Sequence, residues 1–399
     1  MVSPEVAISI LDNYNFQAKK ERIGIGNALN RILAEEIKSN ADFPSYEQVS
    51  SDGIALVYNS FKKGWRDFKI EGVQPARMPR LTLKDSRNCI EVATGAMVPI
   101  GCDSVVPASD VSISYANRIA RVNVENIRAG QHINSKASSV KKGDTLLNAG
   151  VKLSALEISL IATSERSEID VFVGPKACIL SIGSDFVDIN AFAHPHQIRL
   201  AESYGLLATL KSLNCDCSQF HFPDDPNILD SKLSDVIHNH DLVIIIVGIS
   251  KGKSDTILEA LTQLGVKTLF DGIEQLPQGR MVYGIKKNTS IFILPSQPIV
   301  TLLYFYKYVF PWLSKSTGGI PQTPQAILTK SIGIQTKLVS YLRVSLREEG
   351  GKLLATPTPV PNSNDFAHLK PFEGFLEIPP TDKELIAGST FPLIRIKYN

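Results

Sequence analysis

The sequence predicts a multidomain protein of the α/β plus β class, and three observations carry that expectation. From Ala177 onward, strand-like and helix-like segments alternate four times, the pattern of an open parallel sheet. Residues 43–136 instead form short β-like runs punctuated by Gly, Pro and Asn. A Pro-rich stretch at 318–324 then leads into further β-like sequence. The expected domains are 1–42 with 137–175 (N-terminal and linker), 43–136 (β-rich insertion), 176–317 (α/β) and 318–399 (small C-terminal β domain).

Ser3, Pro4 and Glu5 open a helix with a capping hydroxyl, a proline in its first turn and an early acid. Ala28, Leu29, Ile32 and Leu33 suggest a second short helix by their spacing. The runs 53–57, 89–93 and 104–106 read as strands of the β-rich domain, and Leu156, Ile158, Leu160 and Ile161 as a helix after a basic hinge at 140–144. In the α/β part, strands are expected at 177–182, 217–222, 241–247 and 290–294, with helices at 198–213, 228–237, 256–264 and 297–310. Residues 341–346 and 392–396 are β-like elements of the terminal domain.

The chain of 399 residues is 43% hydrophobic and 21% charged, the balance of a globular protein with several cores. A net charge of +2 gives no reason to expect nucleic acid as a partner. No basic-then-apolar leader opens the sequence. Its longest apolar tract, 299–313, is broken by Lys307 and Pro311 and reads as a buried helix with no membrane span. Five scattered cysteines suit reduced thiols, so the expected compartment is cytoplasmic.

The segment 241–255 concentrates the chemistry. An apolar run ends at Gly248, followed by Ser250, Lys251, Gly252, Lys253 and Asp255, and then by a helical pattern. At the carboxyl end of a parallel strand, small residues and a helix N-terminus favour a close anion such as phosphate. An ordinary strand–loop–helix with solvated loop residues is the other reading, in which Asp255 caps its own helix.

Further motifs follow in order. Residues 27–36 (NALNRILAEE) resemble a GR-x-LAED pattern, and 43–55 (FPSYEQVSSDGIA), containing Asp52, resemble P-x-F-D-N-S-A-M-D-G-Y-A. Residues 92–106, containing Thr94, follow I-T-G-A-x-L-P-x-G-A-D-A-V-V. Residues 181–185 (SIGSD), ending at Asp185, resemble S-T-G-D-E, and 223–226 (PDDP), with Asp224, resemble a D-D-x segment. Residues 247–255 resemble G-G-V-S-x-G-x-x-D, and 294–298 (LPSQP), with Pro295 and Pro298, resemble L-P-G-N-P. Together they make the chain similar, over nearly its whole length, to the molybdopterin molybdenumtransferase family, the MoeA and gephyrin E-domain group.

That resemblance implies an elongated homodimer whose four-domain subunits contain a MoaB/MogA-like open α/β sheet and a small C-terminal β-barrel. It implies insertion of molybdate into adenylylated molybdopterin with release of AMP, in molybdenum cofactor biosynthesis. Gly248, Ser250, Lys251, Gly252, Lys253, Arg280, Pro295 and Pro298 would hold the pterin phosphates. Asp52, Thr94, Asp185, Asp224 and Asp255 would carry catalysis, with Asp52 and Thr94 supplied by a partner subunit. The four aspartates would hold Mg²⁺, an oxygen-seeking cation suited to phosphoanhydride cleavage. Thr94 and Ser250 would be hydroxyl donors for the molybdate oxyanion.

Departures from the family pattern cluster in the loops. Val247 replaces a glycine, where a branched side chain is expected to obstruct the ligand. A D-S-N triplet reads Leu200, Ala201, Glu202, and P-G-K-P reads Pro277, Gln278, Gly279, Arg280. Ser296 and Gln297 replace G-N, Asp185 shortens a glutamate, and Asn134 with Ala137, Ser138 and Ser139 replaces an arginine and G-E-D. Lys251, Lys253 and Arg280 could offset the lost phosphate contacts. Two functions remain open, a divergent transferase and a catalytically degenerate homodimer acting as a binding or scaffolding protein. Another nucleotide or pterin-phosphate binder is a third.

Overall fold

The computed structural model describes residues 1–195, 197–199, 201–223, 225–248, 253–333, 335–358 and 372–397. It divides into two compact units, one of residues 1–35, 149–155 and 168–399, the other of 36–148 and 156–167.

The smaller unit is built on a six-stranded sheet in the order Ser104–Pro107, Gly53–Leu56, Asn88–Val92, Asp67–Gln74, Ile119–Val122, Val111–Ser114. Its two faces carry separate cores. Ile54, Leu56, Phe68 and Cys89 pack on one, and Ala55, Ile90, Val92 and Val105 on the other, as side chains alternate along each strand. Gly53 is demanded by a close approach, because a Cβ there would lie 1.9 Å from the Val106 carbonyl oxygen.

In the larger unit, the α/β domain comprises β1 (Lys176–Ile182), α1 (Ala201–Ser212), β2 (Asp216–Phe222), α2 (Pro226–Asn239), β3 (Leu242–Val247), α3 (Lys253–Gln263), β4 (Lys267–Asp271), β5 (Val282–Lys286), β6 (Thr289–Pro295) and α4 (Pro298–Tyr304). The sheet order is β2-β1-β3-β6-β5-β4. The first four strands in that order are parallel, while β5 is antiparallel to β6 and to β4. The four parallel strands are those expected, and β4 and β5 add a short antiparallel edge.

Why the parallel strands are apolar throughout is plain from their two faces. Ala177, Ile179, Leu242, Ile244 and Ile246 pack with Leu206 and Leu210 of α1. Cys178, Leu180, Val243, Ile245 and Val247 pack with Leu233 of α2 and Leu261 of α3.

Ser3 caps the helix Pro4–Asn13 as expected, its hydroxyl accepting from the Val6 N–H at 3.4 Å. The helix expected around residues 28–33 does not form. Asn30 takes a positive φ of 63°, and Ile32 and Leu33 bridge to Lys152 and Val171. Helical spacing was imitated by side chains that fill a strand-like packing site. The tract from 299 to 313 is buried and helical, with a π turn at Phe305–Val309 between α4 and Phe310–Ser316. Among the described residues no helix is long and apolar enough to cross a membrane.

The C-terminal sheet closes into a five-stranded barrel of Val339–Glu349, Lys352–Pro357, Gln325–Leu328, Thr390–Arg395 and Gly374–Ile378, the last pairing back to the first. Ile299 and Leu303 of α4 pack on its Tyr341 and Phe375.

Candidate active site

Strand direction gathers most of the expected ligand residues onto one edge of the α/β sheet. Asp185 follows the end of β1, Gly248 follows β3, and Pro295 closes β6 just before Pro298 opens α4. Asp255 lies in the first turn of α3. Because β5 is antiparallel and β4 parallel to the main strands, Asp271 ends β4 and Arg280 precedes β5 at this same edge. The Ser296 N–H donates to the Val247 carbonyl at 3.1 Å and ties two of these loops together. Asp224, Ser250, Lys251 and Gly252 lie outside the described residues, as does the side chain of Lys253.

Arg280 is the hub. Its Nε and Nη2 donate to the two carboxylate oxygens of Asp271 at 2.8 and 2.7 Å, a bidentate fork, and its Nη1 donates to Asp255 Oδ1. The guanidinium holds the Asp271 carboxyl below the usual carboxylate range, and the two carboxylates raise the arginine in turn. Two anions share one cation, so the trio keeps a net negative charge. Asp255 therefore turns its carboxylate to Arg280. The loop behind is held by the Tyr304 hydroxyl, which donates to the Gly279 carbonyl at 2.8 Å. A Cβ on Gly279 would meet Val300 Cγ1 at 2.8 Å, so the loop cannot be thickened cheaply.

Val247 does not obstruct this edge. Its side chain is buried with Val243, Ile245 and Ile257 on the α2–α3 face of the sheet, which corrects the expectation drawn from its branching. Strand alternation dictates that outcome, since residues 243, 245 and 247 share one face.

In the smaller unit, Asp52 and Thr94 meet directly. Asp52 Oδ1 accepts from the Thr94 N–H at 2.6 Å and from its hydroxyl at 2.9 Å. These bonds, the backbone one first, hold the exposed Asp52 carboxyl below its ordinary range. Because the hydroxyl proton goes to Asp52, Thr94 orients that carboxylate in this arrangement instead of standing as a donor to an oxyanion. Gly95, with φ of 85°, turns the chain, and its N–H donates to the Val49 carbonyl at 2.8 Å. Asp103, in the same motif, serves the fold by accepting from the Tyr58 N–H at 2.6 Å, at the start of the helix Tyr58–Lys62.

The donor set suits magnesium only in part. Among the described residues no three His, Cys, Asp or Glu side chains cluster to hold a metal ion. Mg²⁺ in phosphoryl chemistry usually takes one or two carboxylates and completes its shell with water and substrate phosphate. Asp185, on the loop after β1, and Asp255, in the first turn of α3, stand at one sheet edge. A cavity of about 530 Å³ elsewhere in the larger unit, lined by Asp12, Asn30, Phe172, Tyr306, Trp312 and Arg395 among others, contains none of the expected site residues.

Residues 2–164 match the MoeA N-terminal region (domain I and II), and residues 178–315 match a probable molybdopterin binding domain. A molybdopterin molybdenumtransferase from Synechocystis sp. is 30% identical over 396 residues, covering 98% of this chain and 99% of that protein. The chain belongs to the molybdopterin molybdenumtransferase family. A family member from Bacillus subtilis is 21% identical, covering 98% of this chain and 93% of that protein. In fold, the chain superimposes on a molybdopterin biosynthesis MoeA protein from Pyrococcus horikoshii with a TM-score of 0.83, at 23% identity and 98% coverage of each chain. The expected family and fold class are therefore borne out.

Three groups at the α/β edge had little signal in the sequence. Asp271, the fork partner of Arg280, sits at the end of a strand the apolar pattern did not reveal. Glu202 registered only as a lost asparagine. Ser181 was visible only as the first residue of its motif.

Proposed function

We propose that this chain acts in molybdenum cofactor biosynthesis as a transferase, inserting molybdate into adenylylated molybdopterin with release of AMP. One observation supports this reading above others. Gly248, Asp255, Arg280, Pro295 and Pro298 converge on one edge of the parallel sheet, in a chain related end to end to molybdopterin molybdenumtransferases.

In this account the α/β edge takes the pterin and its phosphates. Asp185 and Asp255, with Asp224, would hold Mg²⁺ beside the substrate phosphates. When bound, the ion supplies positive charge against the charge that develops as the phosphoanhydride breaks. Arg280 fixes the direction of Asp255 and is itself fixed by the Asp271 fork. Lys251 and Lys253 would add charge at the head of α3. Asp52, kept ionised by Thr94, would enter the site of a second copy, making the working unit a homodimer.

The test is AMP release from adenylylated molybdopterin in the presence of molybdate, with light scattering as its companion. The account expects turnover and a particle of twice the 43.7 kDa chain mass. A protein that binds the ligand and releases no AMP would be the binding or scaffolding homologue instead.

A further inference from the structure

Two buried polar side chains at the carboxyl edge stand outside the Asp255–Arg280–Asp271 trio. Ser181, next to last in β1, is fully buried, and its hydroxyl has no partner among the described residues. Alternation places it on the strand face that carries Ala177 and Ile179. Glu202, in the first turn of α1, is 8% exposed. Among the described residues its carboxyl meets only its own backbone N–H. Residues 202, 206 and 210 form one helical stripe, and Leu206 and Leu210 pack in the core that contains Ala177 and Ile179. Glu202 and Ser181 therefore lie on the same face of the sheet, at the same end.

The neighbours of Glu202 are engaged, which sets it apart. Ser203 accepts from Gln219 Nε2 at 2.9 Å, and the Tyr204 hydroxyl donates to Asp188 Oδ2 at 2.7 Å. Arg199 Nη1 donates to the Asp188 and Ile189 carbonyls at 2.6 and 2.9 Å, stapling the loop that joins β1 to α1. These contacts surround a buried hydroxyl without a partner and a buried carboxyl bonded only to its own N–H among the described residues, an arrangement costly to keep unless a ligand completes it. Burial pushes the Glu202 carboxyl up to about 7, as expected where the ionised form lacks donors.

We propose that Glu202 and Ser181 form the seat for the N–H-bearing edge of the pterin ring, with Glu202 as a specificity-determining residue. This rests on the transferase reading above and adds which half of the ligand the seat recognises. A carboxylate accepts two adjacent N–H groups, which an aminopyrimidinone edge presents side by side. Adenine places a ring acceptor beside its amino group, so the same carboxylate meets a lone pair and rejects it.

The experiment is isothermal titration of the full chain with adenylylated molybdopterin and, separately, with AMP. Glu202→Gln should weaken the pterin-bearing ligand about 10- to 100-fold, the scale of a lost bond to a charged group, and leave AMP within about twofold. Ser181→Ala should cost the pterin ligand about 3- to 10-fold. Glu202→Asp, which retains a carboxylate, should fall between wild type and Glu202→Gln, and it carries the comparison if the glutamine variant misfolds. Unchanged pterin-ligand affinity in the variants overturns the seat while leaving the transferase reading intact. Equal losses for both ligands also overturn it, because a structural defect would move both. Wild-type protein that binds neither ligand overturns the seat and the transferase reading together.

Discussion

Asp52 in the smaller unit and Asp255 in the larger are each held through one carboxylate oxygen, but by opposite chemistry. Asp52 Oδ1 is held by a backbone N–H and a hydroxyl, both neutral, so its full negative charge remains. Asp255 Oδ1 is held by a guanidinium that is already forked onto Asp271. A single arginine facing a single aspartate would cancel its charge. Sharing the arginine with a second aspartate keeps the group anionic and still fixes its direction. Neutral pins and a shared cation are two ways of presenting an oriented carboxylate without losing its charge.

The comparison breaks most severely at Asp52. Asp52→Asn keeps size and most hydrogen bonding and removes only charge, so ligand affinity should persist while AMP release in a single turnover falls about 10²- to 10³-fold. A loss of affinity with normal turnover would instead assign Asp52 to binding.

Glu202 extends the comparison to a carboxyl with no pin beyond its own N–H among the described residues. Its proton is held more tightly in the folded chain than in the unfolded one. Stability contributed by that proton is present at low pH and lost as pH rises from about 4.5 to about 7. Glu202→Gln should therefore stabilise the α/β domain above pH 7 by on the order of 2–3 kcal/mol, and leave it unchanged near pH 4. Hydrogen exchange in α1 across that range reads the difference directly. No gain at pH 8 would mean that the carboxylate has partners in solution.

Asp271→Asn sharpens the account of the trio. With the fork weakened, Arg280 pairs with Asp255 alone and cancels its charge, so the Mg²⁺ concentration needed for half-maximal AMP release should rise about 10-fold. The smallest effect is expected for Thr94→Ser, which retains both donors to Asp52 and should change turnover less than about threefold.

The fold was legible where burial is two-sided. Strands such as 242–247 are apolar at every position because helices cover both faces, and that pattern survives without neighbours. Strand β5 includes Gly284 and β4 opens with Lys267 and Thr268, so their assignment depends on the pairing of β5 with β6 and of β4 with β5, which no local pattern encodes. Residues 28–33 misled for the reverse reason, as helical spacing there serves bridges to distant residues. At the site, motif positions were legible and partners were not. Arg280 stood out for lying one place from a missing lysine, yet its engagement by Asp271 depends on a strand hidden from the sequence. Val247 looked obstructive because substitution was judged without the strand's facing.

The most direct measurement is single-turnover AMP release from adenylylated molybdopterin with molybdate, comparing wild type with Asp255→Asn at saturating Mg²⁺. The account predicts that wild type releases AMP and that the variant binds the ligand but releases it slower by at least two orders of magnitude. Equal release by both, or binding by wild type without release, would contradict it.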